Sequence, residues 1–310
     1  MKKLIYLVVC YLMVACNTSE NVGNNDVVSD DVTSPIFHAY FADESSRTYL
    51  DGDINLRWNA NDLITLFEGT TRNKKYIFLG DDEDNAGDFE YVSQGFGTGN
   101  EVDRYYAIYP YDSKTKLDEN GHITYTFPTE QPYAEGSVGL GANAMVAVTA
   151  DLDDYDLIFR NVGSFLRLFL YGTDTTIKSI KIEGHNSEKL AGKAEITPVY
   201  KGNPTLQMDG SATTSVTLNC PEGVTIGATE EEATPFWIVL PPTTFSQGFT
   251  ITVTGFYGGT YTKSYNDVSI TFERNKYLSA KLNATITPTN GANLGVVSWG
   301  DGKSYSGSAE

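Results

Sequence analysis

Short apolar runs with a two-residue period recur along most of this chain and constrain its fold more than any other feature. Ile54, Leu56 and Trp58 alternate with polar residues, and Tyr76 and Phe78 continue the same period. Successive side chains of a strand point to opposite faces, so this period is typical of strands that are buried on one side. No window of a dozen residues keeps apolar positions three and four apart with credible caps. The sequence therefore predicts an all-β protein in which helices are few and short.

The second half of the chain carries longer apolar runs, at residues 165–171, 236–240 and 249–253. Runs of this length, bounded by turn residues and rich in aromatic and β-branched types, predict core strands of a β-sandwich. The strand-like sequence divides into two stretches of about 120 to 130 residues, which suit two domains better than one oversized core. We therefore predict two β-sandwich domains, residues 35–154 and residues 155–283.

The N-terminal residues predict export. Two lysines precede an apolar run, residues 4–14, and Ala15 and Cys16 follow it. This arrangement is typical of a secretory signal peptide, and the run is too short to span a bilayer. Residues 13–16, Met-Val-Ala-Cys, resemble the lipobox of bacterial lipoproteins, although the methionine departs from the usual Leu, Val or Ile. The resemblance implies that residues 1–15 are removed and that Cys16 is acylated. An ordinary signal peptide with an incidental cysteine is the alternative.

The segment that follows is rich in Asn, Ser, Asp and Val and keeps no sustained period. Such a composition buries too little apolar surface to fold alone. Residues 16–34 are therefore predicted to be an acylated cysteine followed by a flexible tether.

The net charge and the cysteine content exclude some classes of partner and of fold. The chain has 22 Lys+Arg against 40 Asp+Glu, a formal charge of −18. A surface of this sign repels nucleic acid and anionic membranes, so we expect no nucleic-acid partner. With Cys10 in the signal peptide and Cys16 acylated, Cys220 is left alone, which excludes a disulfide framework within the mature chain. Cys220 is predicted to be a buried thiol at the end of a strand.

Motifs for catalysis are missing from the sequence. It contains no His-Glu-x-x-His, no Cys pair, no Gly-x-Ser-x-Gly and no phosphate loop, so we predict no enzyme and no cofactor. Asp82, Asp84 and Asp88 are the best calcium candidates, but the EF-hand spacing fails because the fifth position from Asp82 is Ala86. The main interpretation is a solvated acidic loop, and a loose calcium site is the alternative.

A series of short motifs runs along nearly the whole chain after the tether. They are Arg47-Thr48, Trp58-Asn59-Ala60-Asn61-Asp62-Leu63-Ile64-Thr65-Leu66-Phe67, and residues 159–164, 166–171, 177–184, 190–192, 239–241, 272–278 and 299–302. In this order and spacing they resemble the fimbrillin family, the pilin-like lipoproteins of type V pili in Gram-negative, Bacteroidales-type bacteria.

The resemblance implies two tandem transthyretin-like β-sandwich domains in a stalk, tip or anchor subunit of a fimbria that serves adhesion. In that family, an Arg-specific protease cuts the lipidated precursor after its first strand, and the groove accepts a C-terminal strand from a neighbouring subunit. The removable strand here would contribute Ile36, Phe37, Ala39 and Phe41. Arg47 would be the processing residue, and Arg72, in the loop predicted at residues 68–75, is the competing site.

The C-terminal tail, residues 284–310, is the predicted source of a donor strand. The candidates are Ile286, Leu294, Val296 and Trp299, although a proline and several glycines interrupt strand pairing there. The implied partners are other fimbrial subunits, the protease, the outer membrane through the lipid, and an unidentified ligand on a host or bacterial surface. The implied location is the outer-membrane surface, or the fimbria after processing.

An alternative interpretation is a surface lipoprotein that binds glycan or protein ligands without polymerising. The 20 tyrosines and 3 tryptophans could form a binding face for such a ligand. Aromatic residues also fill the cores of β-sandwiches, so composition alone leaves both interpretations open.

Overall fold

The computed structural model describes residues 34–42, 57–68, 70–95 and 102–286. Within these ranges the secondary structure consists of β-strands, with no helix. The predicted all-β fold is thus confirmed, and no helix in these ranges is long and apolar enough to cross a membrane. In chain order the strands are β1 (Phe37–Phe41), β2 (Leu63–Glu68), β3 (Thr70–Phe78), β4 (Ala86–Gln94), β5 (Tyr106–Tyr109), β6 (Lys116–Leu117), β7 (Ile123–Phe127), β8 (Glu130–Pro132), β9 (Met145–Val148), β10 (Asp156–Asn161), β11 (Ser164–Tyr171), β12 (Thr176–Gly184), β13 (Gly192–Thr197), β14 (Thr205–Met208), β15 (Ser215–Thr225), β16 (Thr234–Leu240), β17 (Thr243–Phe245), β18 (Gly248–Gly255), β19 (Thr260–Asn266), β20 (Ile270–Phe272) and β21 (Tyr277–Asn283).

Seven strands form a sheet that closes on itself, in the order β1-β10-β9-β5-β2-β3-β4. β1 closes it, because β1 runs parallel to β10 on one side and antiparallel to β4 on the other. Every other neighbouring pair in this sheet is antiparallel. The closed sheet has no exposed edge as long as β1 stays in place.

An aromatic core fills the closed sheet around the fully buried Trp58. The Trp58 ring stacks on Phe41 with centroids 4.8 Å apart and meets Phe89 and Phe159 edge to face at 5.1 and 5.2 Å. Aromatic side chains bury roughly 150 to 250 Å² each, so they dominate the energy of such a core. β1 therefore contributes directly to the largest apolar contact set in this half of the chain.

A second sheet, β14-β13-β7-β6, packs against the outer face of the closed sheet. Phe67, Ile108 and Val146 of the closed sheet share one apolar cluster with Ile123 and Ile196 of the second sheet. The two inner faces exclude water from each other, as stacked sheets do.

The later strands form a three-stranded sheet, β16-β11-β21, and a five-stranded sheet, β19-β18-β12-β15-β8, beside the small pair β17-β20. Leu168 and Ile238 from the first of these and Ile180, Leu218 and Ile251 from the second belong to one buried cluster. Alternating apolar residues from two facing sheets thus form one core.

Strands from before and after residue 154 also pair with each other. β7 pairs antiparallel with β13, and β8 pairs parallel with β15. The buried Gln131 of β8 donates from Nε2 to the Val239 carbonyl at 2.7 Å and accepts from the Val239 N–H at 2.9 Å. The domain boundary between residues 154 and 155 stays a prediction. These hydrogen bonds join residues that lie on either side of it.

Cys220 is buried as predicted, but β15 does not end there and runs on to Thr225. The register between β12 and β15 shifts between Ile177 and Ser179, opposite the segment that holds Pro221. A bulge at this point accommodates proline, which has no N–H to pair. Burial raises the pKa of the Cys220 thiol to about 12, which keeps it protonated and unreactive.

We predict that Phe37→Ala lowers the free energy of unfolding by about 3 to 5 kcal/mol, because it empties a fully buried aromatic site. The matched control is His38→Ala on the same strand, whose side chain is half exposed and whose exposed contact with the Asp88 carboxylate is worth about 1 kcal/mol or less. Urea unfolding followed by tryptophan fluorescence measures both changes. Equal losses for the two variants would contradict the inward placement of Phe37.

Candidate functional site

The candidate site is the groove between β4 and β10 that β1 occupies. Outside the strand pairing itself, the His38 N–H donates to the Tyr155 carbonyl at 3.0 Å and the Ala42 N–H donates to the Phe159 carbonyl at 2.9 Å. Backbone hydrogen bonds on both sides and the aromatic core beneath hold β1 in place. A strand in such a groove gains main-chain partners whatever its sequence, and its inward side chains set the specificity.

Three of the four side chains predicted for the removable strand point into the core. Phe37 and Ala39 are fully buried, and Phe41 is partly buried against Trp58. Ile36 precedes β1 and is 52% exposed, so it does not fill the groove. The alternation of Phe37, Ala39 and Phe41 agrees with the sequence, and the strand begins one residue later than predicted.

The position of Phe37 is a socket made of tyrosine rings. Its centroid lies 4.8 Å from that of Tyr105, 5.4 Å from that of Tyr76 and 5.8 Å from that of Tyr155, all in edge-to-face arrangements. Edge-to-face contacts at these distances are the favoured geometry of aromatic pairs. Burial raises the pKa of Tyr76 and Tyr105, so both hydroxyls stay protonated at physiological pH.

The middle position of the groove accepts only a small side chain. Ala39 is paired with Gly87 of β4, and directly opposed residues project to the same face of a sheet. The Phe78 ring already occupies this face, because a Cβ on Gly87 would lie 2.6 Å from its Cε2. The groove therefore selects a large, a small and a large side chain at alternate positions.

A buried carboxylate lies in the turn after Trp58 and was not singled out as a site residue by the sequence. Asp62 is 8% exposed, and its carboxylate accepts hydrogen bonds from the Asn59 N–H at 2.9 Å and the Tyr109 hydroxyl at 3.2 Å. Its main-chain carbonyl accepts the Phe78 N–H at 2.8 Å. Asp62 thus links the turn after Trp58 to β3 and β5. The Trp-x-x-x-Asp spacing was the available signal, but burial is visible only in the fold.

The other predicted site residues are dispersed. Cys16, Arg47, Leu294, Val296 and Trp299 lie outside the described residues. Ile286 is buried at 6% exposure in the core of the later strands.

Arg72 lies within β3, which pairs with β2 from Thr70 onward, so the loop predicted at residues 68–75 is wrong. The hairpin continues there because main-chain pairing outweighs the polar composition of the segment. Processing at Arg72 stays a prediction.

The three calcium candidates form hydrogen bonds with different partners. Asp82 accepts from the Ala60 N–H, Asp84 accepts from the Asp81 N–H, and Asp88 contacts His38 Nδ1. Within the described ranges they do not form a group of converging ligand atoms. A calcium site there stays a weak prediction.

A different trio brings possible metal ligands together, namely Asp118, His122 and Glu195. His122 Nδ1 lies 3.1 Å from Asp118 Oδ2 and 3.5 Å from Glu195 Oε1. Both carboxylates approach the same ring nitrogen, so each is a potential hydrogen-bond partner of the histidine rather than a separate ligand. No sequence motif marks this trio, because Glu195 reaches it through the pairing of β13 with β7.

We predict that Asp62→Asn removes a pH dependence of stability. Burial raises the pKa of Asp62 above its ordinary value of 3.8, so the folded state holds this proton to higher pH than the unfolded chain. The stabilisation from the protonated form is complete below 3.8 and is lost as pH rises through the folded pKa. The free energy of unfolding of the variant relative to wild type should therefore increase between pH 3.5 and pH 7 in urea titrations.

Asp209→Asn is the control of opposite sign for this measurement. Hydrogen bonds from Ser211 lower the pKa of the exposed Asp209, so its charged form stabilises the fold above the unfolded pKa. That variant should lose stability relative to wild type as pH rises. A flat or falling difference for Asp62→Asn would contradict the desolvation of Asp62.

Neither a family model nor a curated protein matches the chain. Among solved structures it is similar to a candidate cell adhesion protein from Bacteroides uniformis ATCC 8492, with 14% identity and a TM-score of 0.47 over 82% of this chain and 96% of that chain. A fimbrial protein from Bacteroides ovatus ATCC 8483 gives 13% identity and a TM-score of 0.31 over 79% of this chain and 46% of that chain.

The tip fimbrial protein Mfa3 from Porphyromonas gingivalis gives 8% identity and a TM-score of 0.28 over 80% of this chain and 95% of that chain. At these identities and TM-scores, no residue role and no function is carried over from these proteins to this chain. Their descriptions are of cell adhesion and fimbrial proteins, which is the kind of protein that the sequence motifs resemble.

Proposed function

We propose that this protein is a structural subunit of a cell-surface fimbria, made as a lipoprotein acylated at Cys16 and assembled by exchange of its first strand. In this proposal a protease cuts after Arg47, β1 leaves, and a strand from a neighbouring subunit enters between β4 and β10. The observation that carries the proposal is that one five-residue strand near the N-terminus closes the sheet by itself. Two tandem transthyretin-like sandwich domains are the fold that the sequence resemblance attaches to this role.

Loss of β1 would create a strong demand for a replacement strand. It would leave β4 and β10 without a neighbour on that side and would expose the rings that now cover Phe37 and Phe41. Burial of Phe37, which is complete, accounts for roughly 1.5 to 3 kcal/mol, and the partly buried Phe41 adds a fraction of that. The two unpaired edges add main-chain hydrogen bonds for an incoming strand. A non-covalent joint between subunits is therefore energetically reasonable.

The groove also restricts which strand can replace β1. Leu294, Val296 and Ser298 alternate as large, large and small, which does not reproduce the order of Phe37, Ala39 and Phe41. Leu282, Ala284 and Ile286 do reproduce this order, but all three are buried in the chain's own core. The tail therefore matches the groove poorly unless β21 is released. This mismatch favours a donor strand from a different kind of subunit, and with it a tip or anchor position for this protein.

We predict that an Arg-specific protease cuts the chain beginning at Asn17 after Arg47, and that the cut chain then associates into oligomers or filaments. Mass spectrometry should show loss of residues 17–47, and negative-stain microscopy should show the assembled product. A synthetic peptide of residues 34–42 should keep the cut chain monomeric, because it refills the groove.

Arg47→Lys is the matched variant, since it keeps the charge and removes the cleavage specificity, and Arg72→Lys is its control. The first should abolish cutting and assembly, and the second should leave both unchanged. A cut chain that stays monomeric and does not bind the peptide would instead support the alternative of a surface lipoprotein that binds a ligand without polymerising.

A further inference from the structure

The outward side of the β1 groove carries a carboxylate on each of its walls. His38 of β1 is paired with Asp88 of β4 on one side and with Asp156 of β10 on the other. Neighbouring strands lie about 5 Å apart, and paired residues project to the same face of a sheet. These three side chains are exposed, whereas Phe37 and Ala39 on either side of His38 are buried. The outward position that His38 holds therefore lies between two carboxylates.

The strand that occupies the groove already uses one of these carboxylates. His38 Nδ1 lies 3.0 Å from Asp88 Oδ1, which is a hydrogen-bonding distance. Opposite charges on paired residues of neighbouring strands stabilise a sheet, and like charges destabilise it. A lysine or arginine at this position would face two opposite charges, and a glutamate or aspartate would face two like charges. The sign of one side chain thus decides how well a strand fits here.

The cations on the outward side of the groove lie further along β1. Burial and the nearby Asp156 and Asp154 carboxylates raise the pKa of Tyr40, and Lys201 opposes them. Arg160 lies four residues beyond Asp156 on β10, past the C-terminal end of β1. The position of His38 therefore has carboxylates as its paired neighbours and neither of these two cations.

Neither of the chain's own candidate segments brings a cation to this position. Residues 282–286 reproduce the order of large and small inward residues, and residues 294–298 are the alternative in the tail. The residues between their inward positions are Asn283 and Thr285 in the first segment and Gly295 and Val297 in the second.

The charge of the whole chain favours a partner of a different kind. Its formal charge is −18, so two copies of the chain repel each other. A positive residue on the incoming strand offsets part of this repulsion at the joint between subunits. Complementary charges of this kind mainly set which partner is accepted.

We propose that the groove selects an incoming strand with a lysine or arginine at the outward position between Asp88 and Asp156. In the direction of β1, the partner strand then carries a large, a basic, a small, a variable and a large residue at the positions of residues 37–41. This inference rests on the proposed strand exchange and adds the chemistry of the partner to it. The inward residues supply the burial energy, and the basic residue distinguishes one partner strand from another.

The test measures how peptides compete for the groove of the cut chain. Protein cut after Arg47 is mixed with a fluorescent peptide of residues 34–42, and unlabelled peptides with His38→Lys or His38→Glu displace it in an anisotropy titration. The His38→Lys peptide should bind about five- to twentyfold more tightly than the His38→Glu peptide at about 20 mM salt, because the reversal of sign acts on two carboxylates. The ratio should fall towards one at about 0.5 M salt, where exposed charges are screened.

The double variant Asp88→Asn and Asp156→Asn is the matched control, since both positions are exposed and keep their shape. It should bind the two peptides about equally. Peptides that carry the same lysine or glutamate after residue 42 control for the general attraction of a cation to this acidic protein, and they should show no preference of this size.

The possible results separate this inference from strand exchange itself. Equal binding of the two peptides to the wild-type groove, or a preference that persists in the double variant, would overturn the selection of a basic strand and leave strand exchange standing. A chain that resists the cut, or that binds none of the peptides, would overturn strand exchange and this inference with it.

Discussion

The pairing of β1 with both β4 and β10 is the constraint on which the early part of this structure depends. A sheet of seven strands has two edges unless its first and last members meet, and here one short strand makes both contacts. The aromatic core depends on that closure, because β1 contributes Phe37 and Phe41 to it in the gap between β4 and β10. The packing of this aromatic core thus depends on one five-residue strand.

Chain order and spatial order differ in a way that ties the structure together. The strands β7 and β8 leave the closed sheet and pair with β13 and β15, while β10 returns to lie beside β1. The side chain of Gln131 completes this connection by replacing a strand at the edge of β16. Loss of β1 would therefore open one groove while these other contacts persist.

The sequence predicted the strand content and the inward side chains of β1, because a two-residue period is local information. It could not predict the closure, since the partners of β1 lie far along the chain and register is decided by packing. Ile36 illustrates the limit, as the run of apolar residues extends one position beyond the strand. The continuation of β15 past Pro221 was not predicted, because proline has no N–H to pair and usually ends a strand. The bulge that accommodates it depends on the register with β12 and cannot be read from composition.

The candidate sites differ in how they are encoded, and this explains why one was predicted and the other was not. The groove is defined by a single segment and by the small space beside Gly87, so its alternation is written in neighbouring residues. The trio of Asp118, His122 and Glu195 joins two segments about 75 residues apart, and it forms only because β13 pairs with β7. A chain that exchanges one strand can keep this trio intact, because β7 and β13 pair with each other and lie in a sheet that does not include β1.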